Sequence, residues 1–330
     1  MDRAAVSAAR NGKAPLRITA MGFGGAPLGG LFSAVSEAEA HAALEAAWDA
    51  GVRYFDTAPL YGFGLSEQRF GAFLRTKPRA EFVISTKVGR LLEPARGGPS
   101  AGGLAPFIGA LPNDAFFDFS GDAVRRSLDA SLSRLGLDRI DIAYIHDPDD
   151  DFATAAGQAY PALHELRAQG VLGAIGAGMN QWEMLARFVE TCDLDVVLLA
   201  GRYTLLDRSA AASFLPLCRA RNVAIVAGGV FNSGILAERE PRADATFNYV
   251  PAPPDVLARA RAMARACEAH GASLPAAALQ FPLRGGAVAG ILVGMRSAAE
   301  VARNVTALHE PLSADLWDEL DRIAGSALVH

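Results

Sequence analysis

Four side chains of this 330-residue chain are of the types that proton transfer needs: Asp56 and Tyr61 in FDTAPLYG, Lys87 in STKVG and His146 in DIAYIHDPD. Three of them close short apolar runs, VRYFD, EFVISTK and RIDIAYIH, and the tyrosine follows the first acid by five residues. A free tyrosine has a pKa of about 10, too high to exchange protons efficiently near neutrality. An ammonium about 4 Å away, at an effective dielectric of about 20, is worth roughly 4 kcal/mol, or about a thousandfold toward the phenolate. Lys87 can supply that charge, and Asp56 can keep Lys87 protonated where a partly dry site would strip it. His146 can then donate an imidazole N–H to the oxygen of a carbonyl or alcohol. The expectation is a Tyr61 made acidic by Lys87, serving as acid in reduction and base in oxidation. No side chain carries a hydride, so this chemistry calls for a nicotinamide.

Each residue also has a plain reading. Asp56 suits a loop or helix cap, Lys87 a strand end reaching solvent, and His146 a satisfied polar position beside Asp147 and Pro148. Their joint occurrence on successive strand ends is what carries information, and it requires an architecture that lines strand ends up on one rim. The chain supplies one. Short β-branched runs alternate with helical stretches: after LRITAMGFGG comes EAEAHAALEAAWDAG, opened by a capping box of Ser36 with Glu39 and closed on Gly51. VRYFD, SEQRFGAFLR, EFVISTKVG and GDAVRRSLDASLSRLG continue the pattern. Helices are expected at 159–169, 181–191, 209–221, 255–270 and 297–308, with one more at 313–325. Eight strand-then-helix units point to an α/β chain folded as a (β/α)8 TIM barrel over 15–330, with 1–14 as a flexible tail. Two connections are unusually long, 91–120 and 231–254. Both follow strand C-termini, so both should cover the barrel mouth.

Hydrophobic residues make up 51% and charged residues 20%, the composition of a packed globular protein. The net charge of −5 comes without a Lys/Arg cluster, which excludes a nucleic-acid footprint. Cys192, Cys218 and Cys267 show neither a disulfide framework nor metal-ligand spacing, so buried thiols, a reducing cytoplasmic setting and no metal are expected. No run is long and apolar enough to cross a membrane.

GVRYFDTAPLYGFGLSEQRFG, STKVG and DIAYIHDPD, in this order, resemble the signatures of the aldo-keto reductase family, and the similarity spans essentially the whole chain. The resemblance implies Asp56, Tyr61, Lys87 and His146 as a catalytic tetrad. It also implies NAD or NADP and a small sugar or aldehyde substrate. GAPLGGLF and AIGAGMNQ are most similar to the family's dehydrogenases acting on aldoses at C1, which turn a hemiacetal into a lactone, and on pyridoxal. A non-catalytic, cofactor-sensing regulatory subunit is the alternative from another class.

By the same resemblance, Gly24 faces the nicotinamide and Asn180 binds its amide, with Met179, Ala200 and Gly228 departing from the family pattern nearby. GVFNSGIL gives pyrophosphate contacts, mainly through backbone groups, from Phe231, Asn232, Ser233, Gly234 and Leu236. The adenosine end falls on VGMRSAAEVARNV, with Gly294, Arg296, Glu300, Arg303 and Asn304. Members that prefer NADP commonly place an arginine where Glu300 stands; a carboxylate repels a 2'-phosphate and suits a ribose hydroxyl, which favours NAD. Arg296 and Arg303 keep NADP open. Ser297 with Glu300 also reads simply as a capping box for the last barrel helix.

Overall fold

A computed structural model describes residues 1–6, 15–95 and 107–325. The β-branched and aromatic runs form parallel strands β1 (Met21–Gly24), β2 (Tyr54–Asp56), β3 (Val83–Val88), β4 (Ile142–His146), β5 (Ala174–Met179), β6 (Val196–Ala200), β7 (Ala224–Gly228) and β8 (Gly290–Gly294). Each pairs with the next, and β8 returns to β1 to close the barrel that the alternating pattern predicts. Around it lie α1 (Glu37–Asp49), α2 (Leu65–Leu74), α3 (Gly121–Leu135), α4 (Tyr160–Ala168), α5 (Trp182–Thr191) and α6 (Phe214–Ala220). They are followed by α7 (Pro254–Ala269), α8 (Leu274–Gln280), α9 (Ala298–Leu308) and α10 (Ala314–Ala324). The capping box of α1 forms as the Ser36–Glu39 spacing requires: Ser36 Oγ accepts from the Glu39 N–H and Glu39 returns to the Ser36 N–H.

Strand side chains alternate between the two faces of the sheet. One set, including Tyr54, Ile142, Tyr144, Val196, Val226 and Leu292, fills the barrel lumen. The other, including Phe55, Ile84, Ile145, Val197 and Ile225, packs under the helices. Tyr54 and Asp56, Ser85 and Lys87, and Tyr144 and His146 are therefore paired inward positions. The second of each pair stands at the C-terminal mouth, where barrels of this kind keep their chemistry.

Several local expectations are corrected. LRITAMGFGG is two strands: Arg17–Thr19 pairs antiparallel with Arg3–Ala5, and only Met21–Gly24 enters the barrel. The first residues are thus docked rather than loose, with Val6 buried; residues 7–14 lie outside the described ones. The 91–120 segment contains an antiparallel ribbon, Arg90–Pro94 with Asn113–Phe117, which its glycines and prolines disguise; 96–106 lie outside the described residues. Within 231–254 a smaller ribbon, Thr246–Phe247 with Val250–Pro251, turns on Asn248 and Tyr249, both at positive φ. α6 starts at Phe214 rather than 209. α8 has no expected counterpart, because LPAAALQ is buried nearly all round and shows no amphipathic period.

Candidate active site

Lys87 Nζ donates to Asp56 Oδ2 at 2.7 Å and to the Thr57 carbonyl at 2.9 Å, with both charged side chains buried. The other Asp56 oxygen accepts from Ser85 Oγ at 2.7 Å. The Lys87 ammonium lies 4.6 Å from the centre of the Tyr61 ring, close enough for its charge to act on the phenol. Tyr61 in turn meets His146 edge to face, with ring centroids 6.0 Å apart. All four residues singled out by type and spacing converge.

The electrostatics differ from expectation in one sign. Burial pushes the Tyr61 phenol up to about 12, against the lowering pull of Lys87, and Asp56 adds to the rise. The cation acts on the phenol as anticipated but does not win, because desolvation outweighs it and Asp56 offsets much of its charge. Burial alone would strip the Lys87 ammonium; Asp56 and Tyr61 outweigh it and hold that pKa above its ordinary value. For His146, burial first and then the positive charges of Arg90 and Lys87 drive the pKa well below the ordinary range, so the ring is neutral.

A cleft of about 880 Å³ opens from Tyr61 and Asp56 across the mouth. Of the residues expected to hold a cofactor, Gly24, Phe231, Asn232, Ser233, Gly234, Gly294, Arg296, Glu300, Arg303 and Asn304 line it, as do Ala200 and Gly228. Two do not. The Leu236 side chain is fully buried, and Asn180 is half-buried, donating to the Ala200 carbonyl at 3.2 Å. Lys87 and His146 are buried directly beside Tyr61, which lines the cleft. Glu300 stands both at the cleft and in the first turn of α9. It lines the cleft, yet its carboxylate binds the Arg296 backbone N–H (2.9 Å) and Nε (3.0 Å), while Ser297 Oγ caps its own N–H at 3.2 Å. Among the described residues, no group of three or more His, Cys, Asp or Glu is arranged to hold a metal ion. The three cysteines are free and buried, and no described helix is long and apolar enough to cross a membrane.

The model of the aldo/keto reductase family matches residues 20–324. The chain belongs to the aldo/keto reductase family. It is 47% identical over 310 residues to a D-threo-aldose 1-dehydrogenase of Pseudomonas sp, covering 93% of this chain and 94% of the relative. It is 43% identical over 327 residues to a pyridoxal 4-dehydrogenase of Microbacterium luteolum, covering 94% and 95%. A solved aldo-keto reductase from Bacillus halodurans shares the fold at a TM-score of 0.78 and 22% identity, covering 100% of this chain and 98% of its own. This aldo/keto reductase is therefore an oxidoreductase enzyme.

Sequence reasoning missed three residues of this aldo/keto reductase site. Ser85 supports Asp56 from the inward position one layer below Lys87. Arg90, 3% exposed, donates through Nη1 to His146 Nδ1 at 3.1 Å and through Nη1 and Nη2 to Asp147 Oδ2 at 3.1 Å. Asp147 takes up a positive φ of 46° immediately after His146. The available signal was an arginine three residues beyond the strand-end lysine, in KVGR, but only the ribbon brings it back over the mouth.

Proposed function

We propose that this aldo/keto reductase is a nicotinamide-dependent dehydrogenase that oxidises the hemiacetal carbon of an aldose to a lactone, with NAD as its cofactor. The observation that carries the reading is the Asp56–Lys87–Tyr61 cluster facing the cleft, in a chain 47% identical to a D-threo-aldose 1-dehydrogenase. The lining of the cleft supports a dinucleotide. Gly24 and Gly228 leave room at the Tyr61 end, Phe231–Gly234 offer turned backbone for phosphates, and Arg296, Glu300, Arg303 and Asn304 stand at the far end. The Glu300 carboxylate there disfavours a 2'-phosphate and supports NAD. A bound nicotinamide supplies hydride in reduction and accepts it in oxidation.

The chain's own residues handle the proton. Tyr61 O takes the hydroxyl proton of the hemiacetal in oxidation and gives one to the carbonyl oxygen in reduction. With its pKa near 12 the phenol is intact at neutral pH, so the resting site is set for donation and oxidation gains as pH rises. Lys87, kept charged by Asp56, offsets the negative charge that develops on the Tyr61 oxygen. His146 steadies the reacting oxygen by hydrogen bonding. A pyridoxal hemiacetal presents the same reacting group, and the 43% identical pyridoxal 4-dehydrogenase supports it as the second reading. Three free, buried thiols support a reducing, cytoplasmic setting.

The test mixes purified protein with NAD+ or NADP+ and L-fucose, D-arabinose, L-galactose or pyridoxal, and follows reduced nicotinamide by absorbance. Turnover of an aldose with NAD+ supports the reading, and turnover confined to pyridoxal moves it to the second. Cofactor binding without turnover of any of the four contradicts both.

A further inference from the structure

Arg90 makes an unusual choice of partner. The structural arginine Arg167 gives its N–H groups to the Asp193 and Asp195 carboxylates and a backbone carbonyl. Arg90 gives one to a neutral imidazole nitrogen. A guanidinium has no acceptor and keeps its charge, so in the 3.1 Å contact with His146 Nδ1 the ring nitrogen must be the acceptor. The proton of the neutral ring is then on Nε2. That nitrogen stands 3.5 Å from Asp147 Oδ2 and has no hydrogen-bond partner among the described residues, which leaves its N–H for a ligand.

The placement is built and carries a penalty. Gly89 turns at φ +102°, where a Cβ would come within 2.2 Å of the Phe119 ring, and this bend sends Arg90 back across the mouth. Phe117 covers the guanidinium, 4.4 Å from its ring centre. Arg90 Nε is buried without a partner among the described residues. An unmatched buried donor on a charged group destabilises a fold, which argues for a role beyond pairing with Asp147. The charged and titratable groups around His146 are Arg90, Asp147, Lys87 and Tyr61.

We propose that Arg90 is the positioning residue that fixes His146 as a neutral ring protonated on Nε2, so that His146 only donates to the substrate oxygen and proton transfer is left to Tyr61. The proposal rests on the oxidoreductase reading of the site, but its first test needs no turnover. In the full-length protein labelled with 15N-histidine, long-range proton–nitrogen spectra should show His146, assigned by its loss in His146→Ala, as the Nε2–H form. It should remain so from about pH 5.5 to 8, the range in which an ordinary histidine titrates. Arg90→Met should release a mixture of tautomers. Where Arg90→Met lowers the melting temperature too far, Arg90→Met with Asp147→Asn removes the stranded carboxylate and is read the same way.

The second test is kinetic. Arg90→Met should lower kcat by up to about 100-fold, the low end of what loss of an oxyanion donor costs because the donor is misdirected rather than removed, with cofactor affinity unchanged. In a His146→Ala background it should lower kcat no further, because a residue acting only through His146 has nothing left to act on. A wild-type His146 protonated on Nδ1, or losses that multiply in the double variant, would overturn the assignment. A failure of every sugar and of pyridoxal as substrate would count against the proposed function and leave the tautomer result standing.

Discussion

On the β2–β4 side of the mouth, Asp56, Lys87 and His146 are buried and Tyr61 half-buried, all in contact with one another or with Ser85 and Arg90. The β7–β8 side presents Gly228, Gly229, Gly234 and Gly294, backbone turns at positive φ, and charged Arg296, Glu300 and Arg303 at the rim. The first region works through a few groups whose charge states depend on each other, so single changes there should be severe and strongly coupled. The second works by shape and backbone, so changes there should be graded and should fall on cofactor affinity alone.

The largest expected effect is on turnover. Tyr61→Phe should reduce kcat about a thousandfold, in the range for loss of a general acid–base group, with cofactor affinity from fluorescence quenching within about twofold of the parent. An active variant would break the division between the two sides. Lys87→Met should come next, because it strands the Asp56 carboxylate in a site where both side chains are nearly inaccessible. Removing one member of a buried pair costs about 3–5 kcal/mol, measurable by urea unfolding. Adding Asp56→Asn should restore most of that stability and none of the activity.

On the other side, Gly234→Ala meets no neighbour but must adopt φ +100°, so it acts through backbone strain alone. A penalty of about 1–2 kcal/mol should weaken cofactor binding roughly 5- to 30-fold by titration, with kcat at saturation little changed. Glu300→Arg should move the NADP to NAD preference about tenfold toward NADP in kcat/KM; an unchanged ratio would leave Glu300 as a helix-capping residue only. The smallest effect concerns pH. His146 is held below its ordinary pKa in the fold, so the unfolded chain binds a proton that the folded one refuses. Stability should therefore fall as pH drops below about 6.5, by at most about 1.4 kcal/mol per pH unit from this residue. His146→Ala should lose that component and Gly234→Ala should keep it.

The two sides were also unequally legible. Asp56, Lys87 and His146 end strands in register with the inward alternation of Tyr54, Ser85 and Tyr144, and a period of two is visible in the letters alone. Arg90 was not, since it reaches the site only because Gly89 bends the chain into a ribbon that resembles a loop in composition. The sign of the Tyr61 shift was misjudged because a sequence shows which charges are near but not how much water has been removed. Leu236 and Asn180, assigned to the cofactor by resemblance, fall outside the residues that line the cleft: the Leu236 side chain is buried and Asn180 donates to the Ala200 carbonyl. α8 escaped notice because a helix buried on nearly every side has no polar stripe to give it a period.

The protonation of Tyr61 can be read directly by 13C-tyrosine NMR as pH is raised, with its ring resonance assigned by loss in Tyr61→Phe. With the phenol held near 12 by burial and tempered by Lys87, Tyr61 should remain un-ionised past about pH 10, where exposed tyrosines titrate. Loss of the cation in Lys87→Met should make it harder still to ionise. A Tyr61 that titrates at or below about 10, or whose titration ignores residue 87, would contradict the coupling on which the proposed chemistry depends.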